Sequence, residues 1–147
     1  MTTDSKKTIC ETNKSFYKHW VNVPLRYGDT DRQGHINNAV FATLYESGRT
    51  DFLFDDVESI AGEGYAFVIV RIEMDFLNEI NYPGTVEVGS SILKIGNSSF
   101  RVGQALFKDG ECCSTPESII VLTETNTKKG TKLIEPVLNR LNSISIE

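Results

Sequence analysis

The side chains best suited to chemistry are concentrated in residues 26–39, which read Arg-Tyr-Gly-Asp-Thr-Asp-Arg-Gln-Gly-His-Ile-Asn-Asn-Ala. Two carboxylates, one histidine and two asparagines lie there close together along the chain. A carboxylate can attack a carbonyl carbon directly or activate water as a general base. The free N–H groups at the start of a helix can polarise the carbonyl oxygen under attack. The stretch therefore contains groups that can cleave an activated acyl compound without a metal ion or a Ser-His-Asp triad.

The same residues also have purely structural interpretations. Asp29 and Asp31 flank a turn, where aspartates usually cap backbone amides. Gly34 suits a tight backbone bend. His35 could orient a substrate, bridge two subunits or form a hydrogen bond within its own loop. From the residues alone, a structural role is the better interpretation for both aspartates.

An amphipathic segment after this stretch predicts one long helix over residues 39–54. Asn37 or Asn38 can cap its start. At about 1.5 Å per residue the helix would be roughly 24 Å long, enough to cross a small sheet. Gly48 costs about 1 kcal/mol in helix propensity relative to alanine, so we expect the helix to approach a sheet closely there. The apolar stripe of the helix consists of Val40, Phe41, Leu44, Tyr45, Gly48 and Phe52.

Apolar and β-branched segments predict five strands, and short turns make the last four antiparallel neighbours. Pro24 places the first strand at an edge or a bulge. The apolar run at residues 67–70 suits a strand buried on both faces, and Pro116 is expected to interrupt the last strand. Asp109-Gly110 is a strong hairpin signal, and residues 132–144 could form a short terminal helix. The predicted strands are residues 18–26, 65–76, 85–95, 98–108 and 111–124.

Length and composition restrict the class of protein. The 147 residues, 39% of them hydrophobic, suit one globular domain over residues 1–147, in which residues 1–16 form a flexible leader. A net charge of −5 without a basic run argues against nucleic-acid binding, and no apolar run is long enough to span a membrane. We expect a cytoplasmic protein. The cysteines, Cys10, Cys112 and Cys113, match neither a disulfide framework nor a zinc site.

The loop motif resembles that of a known enzyme family. Residues 28–38 follow the pattern Gly-Asp-Thr-Asp-x-x-Gly-His-Ile-Asn-Asn, and residues 45–49 add Tyr-Glu-Ser-Gly-Arg within the helix. This combination resembles the hotdog-fold acyl-CoA thioesterases of the 4-hydroxybenzoyl-CoA thioesterase type, over about residues 18–125. The resemblance implies an α+β hotdog fold, in which an antiparallel sheet of about five strands is wrapped around one long central helix.

The resemblance also implies roles for individual residues. Asp31 would be the catalytic nucleophile or general base, and the backbone amide of Asn38 would stabilise the oxyanion, typically a contribution of about 10²–10³ in rate. Asp29 keeps its structural role. Glu46 and Arg49 are three residues apart on the helix and can pair with each other. The residues expected to bind substrate or to hold the catalytic groups in place are Gly34, His35, Asn37, Glu46 and Arg49.

These assignments predict a hydrolase that converts an acyl-CoA thioester into a free carboxylic acid and coenzyme A. We expect no metal and no separate cofactor, because coenzyme A enters as part of the substrate. The family forms homodimers and tetramers with active sites at the dimer interface, and we expect the same here, without nucleic-acid or membrane partners. Two alternatives stay open on the same fold: a non-catalytic protein that binds acyl thioesters and, ranked last, a 3-hydroxyacyl-thioester dehydratase.

Overall fold

A computed structural model describes residues 11–146, within which the chain forms seven β-strands and two α-helices. In chain order these are β1 (His19–Pro24), α1 (Asn38–Leu53), β2 (Phe54–Asp55), β3 (Glu58–Ser59), β4 (Tyr65–Phe76), β5 (Thr85–Ile95), β6 (Ser99–Lys108), β7 (Glu111–Glu124) and α2 (Glu135–Ser143). Five strands form one antiparallel sheet in the order β1-β5-β6-β7-β4, and β2 pairs with β3 in a separate small hairpin. The predicted α+β hotdog fold, with its five-stranded antiparallel sheet and one long helix, is confirmed.

Helix α1 packs on the sheet through the stripe that the sequence predicts. Its buried residues include Phe41, Leu44, Tyr45, Gly48 and Phe52. A Cβ atom on Gly48 would lie 2.7 Å from Val88 Cγ1 and 2.9 Å from Gln104 Nε2, on the strands beneath. The close approach of helix and sheet expected at Gly48 is therefore confirmed, since a packed interior leaves no room for a side chain there.

Buried hydrogen bonds fix the helix to the sheet in one position. Gln104 Nε2 donates to the backbone carbonyl of Tyr45 at 3.1 Å and to Ser90 Oγ at 3.0 Å. The Tyr45 hydroxyl donates to the carbonyl of Ser114 at 3.1 Å and also contacts Ser114 Oγ. Because buried polar groups are costly unless they are paired, these bonds favour one register of α1 on the sheet. The start of α1, and the loop before it, are thereby held in place.

Strand β4 differs from the sequence prediction in both its pairing and its burial. The prediction that the last four strands are neighbours in chain order is wrong for β4, which pairs with β7 and not with β5. The apolar run at residues 67–70 predicts burial on both faces, but β4 lies at the edge of the sheet and pairs only with β7. Val68, Ile69 and Val70 are exposed to 42%, 39% and 58%. The prediction is wrong because a short apolar run does not by itself distinguish a central strand from an edge strand.

The two prolines in predicted strands have different outcomes. Pro24 ends β1, which forms the other edge of the sheet, so the edge position is confirmed. The interruption predicted at Pro116 is wrong, since β7 runs without a break past it. The ladder between β7 and β6 has no residue pair at Pro116, so on that side the missing N–H of proline breaks no ladder bond.

Most of the predicted flexible leader, residues 1–10, lies outside the described residues. Residues 11–16 contact the domain: Lys14–Phe16 form a short 3-10 helix, and Lys14 Nζ lies 2.7 Å from Glu87 Oε1 on β5. No helix among residues 11–146 has both the length and the apolar composition needed to cross a membrane.

Candidate active site

The loop between β1 and α1 is anchored by the buried carboxylate of Asp29. Its oxygens accept hydrogen bonds from Arg26, from the backbone amide at 2.9 Å and from Nε and Nη2 at 3.2 and 2.8 Å. The side-chain hydrogen bond from Arg26 holds the pKa of Asp29 below its ordinary value. The carbonyl of Asp29 accepts a bond of 2.9 Å from the amide of Asn37. These contacts agree with the structural role predicted for Asp29.

Asp31 lies exposed at the tip of the loop, in a turn built around its own carboxylate. Asp31 Oδ1 accepts hydrogen bonds from the amides of Gln33, at 2.8 Å, and His35, at 3.1 Å. The amide of Gly34 donates to the Asp31 carbonyl at 3.1 Å, and Gly34 has a φ of +86°, which glycine adopts readily. The other carboxylate oxygen, Oδ2, has no hydrogen bond within residues 11–146. One oxygen therefore orients the group while the other stays available.

The start of α1 lies directly after this turn. Asn37 is the N-cap, because its Oδ1 accepts from the amide of Ala39 at 2.9 Å and its carbonyl from Val40 at 2.8 Å. Asn38 is the first helical residue, and within the described part of the chain its amide donates to no acceptor. The first amides of a helix have no intrahelical partner and carry part of the positive end of the helix dipole.

Asp31, His35 and Asn38 line one cavity of about 330 Å³. The structure thus brings together the predicted carboxylate, the predicted histidine and the first residue of the helix. Gly34 and Asn37 shape the turn and the cap beside the cavity. The complete lining is Asp31, Gln33, His35, Ile36, Asn38, Phe41, Phe76, Leu77, Asn78 and Glu79.

The opposite wall of this cavity comes from the segment after β4, which the sequence analysis missed. The amide of Ile36 donates to the carbonyl of Ile80 at 2.7 Å, and His35 pairs with Asn81 in an isolated β-bridge. These bonds bring Asn78 and Glu79 to the cavity. No local signal in the sequence could indicate this, because the contact joins residues more than forty positions apart.

A side-chain contact also joins the loop to the segment after β4. His35 Nε2 lies 3.1 Å from Glu79 Oε2, and the two side chains are 31% and 61% exposed. The His35 backbone is therefore held by its bonds to the Asp31 turn, and its imidazole lies against the Glu79 carboxylate.

Glu46 and Arg49 lie away from this cavity. Instead of pairing with Glu46, as the helical spacing predicts, the Arg49 side chain turns into the core and Nη1 donates to Gln104 Oε1 at 3.1 Å. Arg49 is only 7% exposed, and this burial lowers the pKa of its guanidinium. Both residues line a second cavity of about 410 Å³, bounded by the first half of β4. Within one chain they do not meet Asp31.

Chemically, the first cavity combines an oriented carboxylate with the positive end of a helix. A carbonyl group placed between them would be polarised at its oxygen while its carbon faces the carboxylate. Within residues 11–146, no three His, Cys, Asp or Glu side chains are grouped so that they could hold a metal ion.

This fold is the hotdog fold of the thioesterases. The chain belongs to the thioesterase-like superfamily, whose sequence pattern it matches over residues 25–141. No match was found among the curated proteins.

Three solved structures with the same fold show how similar this chain is to known proteins. A Pseudomonas aeruginosa protein with 22% identity covers 90% of this chain and 94% of its own, with a TM-score of 0.81, and shows the fold alone. A predicted thioesterase from Bacillus stearothermophilus has 25% identity, coverage of 86% and 96%, and a TM-score of 0.78. A Thermus thermophilus thioesterase, solved in complex with coenzyme A and Zn, has 29% identity, coverage of 85% and 98%, and a TM-score of 0.73.

Proposed function

We propose that this protein hydrolyses an acyl-CoA thioester to a free carboxylic acid and coenzyme A. One observation carries the proposal: the Asp31 carboxylate and the first residue of α1, Asn38, line the same cavity. Family membership and the coenzyme A bound to the Thermus relative support a coenzyme A thioester as substrate.

The reaction needs a nucleophile and a site for the oxyanion. Asp31 Oδ2 attacks the thioester carbon or takes a proton from the attacking water. The carbonyl electron pair moves onto oxygen, where the Asn38 amide stabilises it. The C–S bond then breaks, and the thiolate leaves with its electron pair. Hydrolysis of the acyl-enzyme, when Asp31 is the nucleophile, regenerates the carboxylate. When Asp31 is the general base, the proton that it took from water passes to the departing thiolate, which also regenerates the carboxylate.

The working unit in this proposal is a homodimer joined through β4. This edge strand has 12 residues, and its outer edge has no partner strand within the described chain. Val68, Val70 and Ile72 are exposed to 42%, 58% and 45%. Long apolar edge strands tend to pair with another chain, and a second copy of β4 supplies a strand of equal length.

Twofold pairing of β4 also explains the second cavity. Antiparallel pairing places the end of one β4 beside the beginning of the other. The first cavity includes Phe76, at the end of β4, whereas the second includes Tyr65, at its beginning. The Asp31 cavity of each copy then adjoins the second cavity of the other, which supplies Glu46 and Arg49 to substrate binding.

The test is thiol release from a panel of short, long and aromatic acyl-CoAs, followed with a thiol reagent. Release above background by the wild-type protein, and its loss in Asp31→Asn, supports the proposal. Asp109→Asn is the matched control, because it makes the same change in an exposed hairpin where asparagine is well tolerated. Saturable binding of acyl-CoA without any release would instead favour the non-catalytic binding protein.

A further inference from the structure

Strand β4 reverses the alternation of its side chains at its midpoint. Ile69 is opposite Ile120 on β7 and Arg71 is opposite Ile119, so Val70 has no opposite residue and forms a β-bulge. Successive side chains of a regular strand alternate between the two faces, and one extra residue therefore reverses this alternation from the bulge onward. The 12 residues of β4 are thereby divided into two halves of equal length.

The inner face of β4, toward α1, is apolar along the whole strand. Residues of the first half line the second cavity together with α1. In the second half, the ring centroids of Phe76 and Phe41 on α1 are 5.1 Å apart, and Met74 packs on the core that contains Phe41. Ile72 is opposite the buried Ser118 of β7. The inner-face residues are Tyr65, Phe67, Ile69, Ile72, Met74 and Phe76.

The outer face of β4 changes from apolar to charged at the bulge. Side chains of the first half line an apolar groove beside Val121 of β7. In the second half, Arg71 Nη2 lies 3.0 Å from Glu73 Oε2, so the two charges are paired within one chain. The outer-face residues are Ala66, Val68 and Val70 in the first half and Arg71, Glu73 and Asp75 in the second.

We propose that two copies of β4 pair about a twofold axis between Val70 and Arg71, so that Tyr65 of each copy lies opposite Phe76 of the other and extends the apolar wall of the Asp31 cavity. This inference rests on the homodimer of the proposed function and specifies its register. Two bulged strands keep their inner faces together over the full length only when the bulges are opposite each other, because both alternations then reverse at the same level. Since the bulge is at the midpoint, neither strand is left with an unpaired end.

This register places apolar residues opposite one another on the inner face. Ile69, Ile72 and Phe76 are exposed to 39%, 45% and 50% in the single chain, and the second copy would cover them. Apolar cross-strand pairs stabilise a sheet. On the outer face, the charged half of each strand lies beside the apolar half of the other, where the aliphatic stem of Arg71 can cover valine. The inner pairs across the axis are Tyr65 with Phe76, Phe67 with Met74, and Ile69 with Ile72.

A second register would instead place Arg71 opposite Glu73 of the other copy, with the axis at Ile72. Opposite charges would then meet across the two strands. However, Val70 on the outer face would be opposite Met74 on the inner face, because the bulges would no longer coincide. The faces would match only over residues 71–73, so we favour the axis between Val70 and Arg71.

The test is disulfide cross-linking of the full chain in a Cys10→Ser background, in which the remaining cysteines, Cys112 and Cys113, are buried. In Val68→Cys/Glu73→Cys the two outer-face positions are opposite each other across the axis, and oxidation should convert most of the protein into covalent dimers. Each single variant is the matched control. Its two cysteines would lie five residues apart along the strands, roughly 17 Å, and a disulfide needs Cα atoms within about 7 Å.

Two further variants make the result decisive. Ala66→Cys/Asp75→Cys tests a second outer-face pair of the same register and should also form covalent dimers. Ile72→Cys distinguishes the two registers. With the axis between Val70 and Arg71, its cysteines lie three residues apart, roughly 10 Å, and should stay unlinked, whereas an axis at Ile72 would link them. Covalent dimers of Ile72→Cys, or none from either double variant of a dimeric protein, would overturn the proposal.

Cross-linking is measured without substrate, so its outcome is distinct from that of the proposed function. If both double variants link and no acyl-CoA is hydrolysed, the hydrolase proposal fails and the register stands. If a dimeric wild type releases thiol while neither double variant links, the hydrolase proposal stands and the register is refuted. A wild type that is monomeric in sedimentation velocity would refute both the dimer and its register.

Discussion

Asp31 and His35 are joined by two backbone-mediated hydrogen bonds: His35 N–H donates to Asp31 Oδ1 at 3.1 Å, and Asp31 N–H donates to the His35 carbonyl at 2.7 Å. The carboxylate is therefore oriented by the turn that contains it. The Asn37 cap follows at once, and Asp31 and the first residue of α1 line one cavity. The Asp31 side of the site is thus set by local sequence, whereas its opposite wall comes from the segment after β4.

The helix cap should matter for both stability and activity. Asn37→Ala removes the acceptor for the Ala39 amide and should cost about 1 kcal/mol in the free energy of unfolding. It should also lower kcat, because the Asn38 amide loses its fixed direction. Asn37→Ser keeps a capping oxygen and should restore most of both quantities. Loss of the cap without any change in kcat would separate the helix start from the chemistry.

Gly48 should tolerate no side chain. In Gly48→Ala the new methyl group would meet Val88 Cγ1 at 2.7 Å. Overpacking typically costs about 1–3 kcal/mol, which exceeds or matches the gain of about 1 kcal/mol in helix propensity. Urea denaturation should therefore show a less stable protein. Thr43→Ala, on the exposed face of α1, is the control and should be nearly neutral. A Gly48→Ala protein more stable than wild type would contradict the close approach.

Asp29 should contribute to the acid sensitivity of the fold. Its pKa is lowered in the folded protein by the hydrogen bond from Arg26. A group with a lowered folded pKa adds stability above its unfolded pKa, about 3.9, and this stability is lost as the pH falls through the folded pKa. Asp29→Asn should be less stable at neutral pH by about 1–3 kcal/mol and should lose less stability on acidification. Parallel pH–stability curves of the wild type and Asp29→Asn, measured by urea denaturation, would contradict this.

A folded but inactive Asp29→Asn protein beside an active Asp31→Asn would reverse the assignment of the catalytic acid.

The β4 edge should control assembly. Val70→Lys places a charge on the strand proposed to pair with a second copy, where Val70 is 58% exposed. Sedimentation velocity should show a dimer for the wild type and a shift to monomer for this variant, together with lower activity. Val57→Lys changes a valine that is 84% exposed outside the five-stranded sheet and should stay dimeric. A monomeric, fully active wild type would refute the shared site.

Local signals in the sequence predicted much of this architecture. The helix lies within one residue of residues 39–54 because its apolar stripe and its cap are local features. The hairpin at Asp109-Gly110 forms as predicted, with positive φ at both residues, because turn chemistry is also local. The loop motif supplied the carboxylate, the histidine and the helix start that line the cavity.

The errors concern contacts between distant parts of the chain. The partner of Arg49 is Gln104 on β6 rather than Glu46 on its own helix, which only the packing of α1 on the sheet decides. The edge position of β4 depends on the strand order, which the apolar run at residues 67–70 does not encode. Glu79 reaches the site through the pairing of the segment after β4 with the loop, again a matter of tertiary structure.

The most direct test of the central claim is the turnover number of Asp31→Asn on the best acyl-CoA of the panel. The substitution keeps the size of the side chain and an oxygen that can accept from the Gln33 and His35 amides, but it removes the base and nucleophile. We predict that kcat falls by about 10²–10⁴, while acyl-CoA binding, measured by calorimetry, stays within a few fold of wild type. A kcat equal to that of the wild type would remove Asp31 from the mechanism and contradict the account.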